Sequence, residues 1–75
     1  MPVKPPYLAL RDYLLKTSAD ELTLEAVTAK ARTLYGKWNK NIFRRDLQEA
    51  AEYIGKYTSS AATAQKLEEI LGEMP

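Results

Sequence analysis

The 75-residue chain contains no cysteine and no histidine. Without cysteine it has neither disulfides nor thiolate metal sites, and the reducing cytosol is the expected compartment. Without histidine it loses the commonest general base and the commonest metal-ligating side chain together. Glycine is scarce, at three residues, and no phosphate loop, dinucleotide fingerprint or nucleophile elbow can be traced. No apolar run approaches the ~20 residues that span a bilayer. The opening MPVKPPYLALRDYLL does not read as a signal peptide, because Arg11 and Asp12 interrupt its apolar residues. An excess of one charge sign is missing too. With a formal charge of +1, the whole molecule has little bias toward nucleic acid or an anionic membrane. No segment alternates with period two, so no strand is expected.

What remains is a globular composition, 45% hydrophobic and 28% charged. The expected organisation is one all-α domain over 1–75, a compact bundle of four short helices, with 1–5 as a flexible N-terminal arm. A chain this short buries a small core, so a homodimer or a protein partner would add useful stabilisation.

Hydrophobic periodicity and end signals predict helices near 6–16, 19–35, 41–55 and 60–73. Pro6 suits a first helical turn, and Leu10 and Leu14 share one face. Ser18 with Glu21 matches a capping box, with Thr23 as a second cap candidate. Leu24, Val27, Ala31, Leu34 and Trp38 continue the stripe, and Gly36 is the expected positive-φ stop. Asn39 or Asn41 can cap the third helix, which carries Phe43, Leu47, Ala50, Ile54 and Tyr57, and Gly55 either ends it or weakens it. Thr58 to Ser60 offer caps for the fourth, whose face is Ala64, Leu67, Leu71 and Met74. The expected core is Leu10, Leu14, Leu24, Val27, Ala31, Leu34, Phe43, Leu47, Ala50, Ile54, Leu67 and Leu71.

Catalysis needs a nucleophile, an acid–base group or a metal set into a cleft. The carboxylates here fall mostly opposite the apolar stripes. Arg45 with Glu49, and Glu52 with Lys56, are spaced as surface i,i+4 pairs. Glu49 and Glu52 alone make a poor cation site. The expectation is a protein that is not an enzyme and uses no cofactor or metal.

One stretch stands apart. Ala29 to Arg45, AKARTLYGKWNKNIFRR, holds six of the eleven basic residues and no acid, with Tyr35, Trp38 and Phe43 interleaved. Basic residues interleaved with aromatics suit a nucleic-acid backbone, whose phosphates take cations and helix N-termini. The candidate nucleic-acid-binding residues are Lys30, Arg32, Lys37, Trp38, Lys40, Arg44 and Arg45. The bland reading is that the cations are solvated and the aromatics belong to the core. Running into this region, LTLEAVTAKA, Leu22 to Ala31, is similar to the first helix of a helix-turn-helix unit. FRRDLQEAAEYIG, Phe43 to Gly55, resembles a helix of the core-binding domain of tyrosine recombinases, an all-α module that clasps DNA. Either likeness implies a DNA or RNA partner.

The first functional expectation is a small regulatory protein contacting nucleic-acid phosphates at the connection between the second and third helices. The alternative is a protein–protein adaptor or regulatory subunit, with an apolar groove between helices. Convergence of Lys30, Lys37, Lys40 and Arg44 on one surface is what the first reading requires.

Overall fold

The computed structural model describes residues 4–74 and forms an all-α domain. Its helices are α1 (Pro6–Lys16), α2 (Leu24–Leu34), α3 (Lys40–Tyr57) and α4 (Ala61–Glu73), with a 3₁₀ turn at Ala19–Glu21. The radius of gyration is 11.6 Å, against about 11 Å for a folded chain of this length, so the helices share one core. Of the N-terminal arm expected at 1–5, residues 1–3 lie outside the described residues. Lys4 pairs with Asp12, and the Pro5 carbonyl accepts from the Leu8 and Ala9 N–H groups at 3.1 Å each. Those bonds start α1 with Pro6 at its first position, where a missing N–H is harmless.

The second helix departs from expectation. The Ser18 side chain makes no capping bond, and the 3₁₀ turn gives way to an extended Leu22. Thr23 is the working cap, its hydroxyl accepting from the Ala26 N–H at 3.0 Å. Leu22 drops into the core between the two elements and is fully buried. At the other end α2 stops at Leu34 with Tyr35 already extended. Gly36 has no positive φ and ends nothing. Trp38 therefore reaches inward from the connection 35–39, where its ring centroid lies 5.1 Å from that of Phe43.

Asn39 caps α3, its side-chain oxygen accepting from the Asn41 and Ile42 N–H groups at 2.9 and 3.1 Å. The helix runs through Gly55 to Tyr57 and carries Phe43, Leu47, Ala50, Ala51 and Ile54 into the core. It packs most extensively on α4 and next on α1. A methyl group at Gly55 would meet the Ala64 Cβ at 3.6 Å, an ordinary contact. Gly55→Ala is therefore expected to stabilise the domain by about 0.5–1 kcal/mol, the helix-interior cost of glycine. Thermal unfolding of the variant checks this, and a lower melting temperature would mean that α4 cannot accommodate the methyl group.

α2 leans on α1 and has no comparably extensive contact with α3. The extended connection holds the two helices apart, which leaves a gap over Phe43. Leu24, Leu34 and Leu71, expected in the core, are partly buried at its margins, while Ile70 and Ala51 are enclosed.

Candidate functional site

The gap between α2, the start of α3 and the end of α4 is a solvent-facing groove of about 660 Å³. Leu24, Thr28 and Ala29 form the α2 wall, Trp38 and Phe43 the opposite side, and Met74 the end. Each element has a local reason to be there. Thr23 fixes where α2 begins, so Leu24 and Thr28 lie one turn apart along the groove. Asn39 fixes the start of α3, which puts Lys40 at the mouth and Phe43 one turn deeper.

The polar rim is sparse: Glu25, Arg32 and Lys40. The Arg32 guanidinium lies over the Trp38 ring, 4.6 Å from its centroid. That stacking keeps a cation on the apolar surface without stripping it of water on its outer side.

Outside the groove, on the side of α3 that borders a hollow with Tyr7 and Arg11 of α1, lies the one buried carboxylate among the described residues. Asp46 is 7% exposed. The Tyr35 hydroxyl donates to its Oδ2 at 2.6 Å, and the Arg45 guanidinium reaches Oδ1 at 3.2 Å. A buried carboxylate needs such partners, because its desolvation is otherwise costly. Burial, then the hydrogen bond to Asp46 and the charge of that carboxylate, push the Tyr35 phenol well above its ordinary range, with Arg45 pulling the other way. The hydroxyl therefore stays a donor. Arg45, expected beside Glu49, pairs with Asp46 instead, since the buried acceptor is the less hydrated of the two; among the described residues Glu52 and Lys56 form no ion pair.

The seven basic and aromatic candidates divide among surfaces. Arg32, Trp38 and Lys40 share the groove. Arg44, one turn beyond Lys40, borders a separate hollow between α3 and α4 together with Glu52 and Glu68. The Lys30 ammonium sits 5.7 Å from the centre of the Tyr13 ring on α1. Arg45 is held by Asp46, and Lys37 is exposed on the connection. The apolar wall of Leu24, Ala29 and Met74 and the Tyr35–Asp46 bond were not singled out as functional from sequence. The first follows from the weak α2–α3 contact, which periodicity does not report. The second joins two residues eleven apart that no local pattern links. No protein-family model, no curated protein and no solved structure matches this chain.

Proposed function

We propose that this protein is a non-enzymatic interaction module, an adaptor or regulatory subunit, whose groove receives the apolar side chains of an acidic amphipathic segment of a partner protein. The observation that carries the reading is the groove itself, with an apolar lining and only Glu25, Arg32 and Lys40 as charged neighbours. Its volume falls in the range of about 300–1,000 Å³ usual for ligand sites. Leu24, Trp38 and Met74 offer the contacts that anchor a helix laid in a groove, over a floor of Phe43. Charge selects the partner's sign. Two cations flank the apolar surface against one acid, and the stretch Ala29 to Arg45 adds no carboxylate.

A nucleic-acid reading keeps one specific support, the Arg32–Trp38 stack beside Lys40, which resembles a base-stacking surface with phosphate-binding cations. Its four-cation cluster is divided, so it stands second. One experiment separates them. Short helical peptides with a Leu–Phe apolar face and glutamate flanks are titrated, as are the same peptides with lysine flanks and a random oligonucleotide at two salt concentrations. Trp38, the single tryptophan, reports occupancy by its fluorescence. The glutamate-flanked peptide should bind, and Lys40→Glu should weaken it about threefold to tenfold at low salt. Equal binding of the lysine-flanked peptide would overturn the charge argument. Oligonucleotide binding with a log–log salt slope of about −0.9 per phosphate contact, in the absence of peptide binding, would establish the second reading instead.

A further inference from the structure

The connection Tyr35–Asn39 carries Trp38, one side of the groove, on very little backbone support. Tyr35 N–H bonds to the Ala31 carbonyl at one end, and the Asn39 cap closes the other. Between them Gly36, Lys37 and Trp38 make no backbone–backbone hydrogen bond among the described residues. The position of Trp38 must therefore come from side chains. Three rings and one guanidinium meet there: Trp38 on Phe43, Arg32 over Trp38, and Tyr35 edge-on to Trp38 at 6.3 Å between centroids. These contacts are apolar or cation–π and leave the connection free to slide. The Tyr35 hydroxyl is different. It makes a directional, charge-assisted bond of 2.6 Å into a carboxylate on α3, three residues beyond Phe43.

We infer that the Tyr35–Asp46 hydrogen bond is the strut that sets Trp38 over Phe43, so that Tyr35 is the positioning residue of the groove. Its consequence for binding rests on the groove being the docking surface. Its consequence for Trp38 belongs to the free protein. Asp46 has no capping duty in the middle of α3, and its bonds from the exposed Arg45 side chain, at 3.2 and 3.4 Å, go to Oδ1. The other oxygen, Oδ2, is given to Tyr35. Loss of the hydroxyl alone would leave the Tyr35 ring in place and release the connection to rotate about it.

The test compares the parent with Tyr35→Phe and with Asp46→Asn, whose amide oxygen can still accept from the Tyr35 hydroxyl. Tyr35→Phe should shift Trp38 emission to longer wavelength and expose it to acrylamide, with helix content by circular dichroism unchanged. Asp46→Asn should keep the parent's emission. The glutamate-flanked peptide should bind Tyr35→Phe about threefold to tenfold more weakly, the scale of one such bond. Making Tyr35→Phe in the Gly55→Ala background offsets any general loss of stability, so the comparison holds even where the single variant melts early. Parent-like emission and quenching in Tyr35→Phe would overturn the inference. So would an Asp46→Asn variant that moves Trp38 as far as Tyr35→Phe does, since charge rather than the bond would then hold it. If Tyr35→Phe moves Trp38 while the parent binds no peptide, the strut stands and the docking role of the groove fails.

Discussion

Phe43→Ala is expected to destabilise the domain by about 3–5 kcal/mol, the range for emptying an aromatic site in a core. Phe43 is the largest fully buried side chain, at 1% exposure, and lies three residues from the start of α3. Its ring separates the interior from the groove, with Trp38 on its outer side. Neighbours cannot refill the space easily, because α2 and α3 already stand apart there. A domain of this length has in total about 4–11 kcal/mol of stability, taking 0.05–0.15 per residue. The variant should therefore be fully unfolded at the parent's midpoint of denaturant, and what stays folded without denaturant should show altered Trp38 emission. Denaturant unfolding followed by both circular dichroism and fluorescence measures the two effects together. A loss below about 1 kcal/mol would mean that Trp38 swings inward to replace the ring.

Leu47→Ala is the second large effect, expected at about 2–5 kcal/mol. Leu47 is completely buried one turn beyond Phe43. It sits on the helix that packs against both α1 and α4, so its cavity would open at the centre of the bundle. Unlike Phe43 it does not border the groove. The fluorescence of folded Leu47→Ala should accordingly match the parent while its denaturation midpoint falls. A variant that unfolds at the parent's denaturant concentration would show that the site collapses around the missing side chain.

The helices were legible because each carries a one-sided apolar stripe closed by identifiable end residues. α1 matches the expected span, helped by paired prolines that can only stand at a helix start. α3 and α4 were placed to within two residues, with Asn39 as cap for the first. The second helix was less legible. Ser18 and Glu21 satisfy the letter of a capping box, yet their segment forms a 3₁₀ turn, because burying Leu22 requires an extended residue where a continuous helix would carry it around. Trp38 continues the α2 stripe by spacing alone, while the chain has left the helix at Tyr35. The tie from Tyr35 to Asp46 is a tertiary event, and no window of sequence contains its energy.

The candidate site was legible in its chemistry and not in its shape. Arg32, Trp38 and Lys40 do come together, as a basic and aromatic stretch suggests. Lys30 and Arg45 turn away because they stand about 200° around α2 from Arg32 and about 140° around α3 from Lys40, whereas Arg44 lies one turn on from Lys40 and Lys37 stands on the connection. Lys30 finds the Tyr13 ring on α1, Arg44 the hollow beside α4, and Arg45 the buried Asp46. The apolar lining comes from α2, the connection, α3 and the residue that follows α4, and depends on how far apart these pack. Spacing along one helix carries no such distance.

The backbone turns its corners without a single positive φ among the described residues, at glycine or elsewhere. Thr17, Leu22, Tyr35 and Thr58 do this with ordinary extended geometry. No position between residues 4 and 74 is therefore closed to side chains by a left-handed backbone, and burial, the Thr23 and Asn39 caps and the Tyr35–Asp46 bond decide which substitutions are tolerated. The interior is restrictive over a dozen apolar sites. Around the groove the situation is the opposite. Glu25, Arg32 and Lys40 stand on regular helix, exposed; Glu25 and Lys40 can exchange charge at a cost of a few tenths of a kcal/mol in propensity, while Arg32 would also give up its stack on Trp38. On the docking role proposed for the groove, the rim can change the sign of its charge while the core beneath stays the same, so a change of partner preference would need no change of fold.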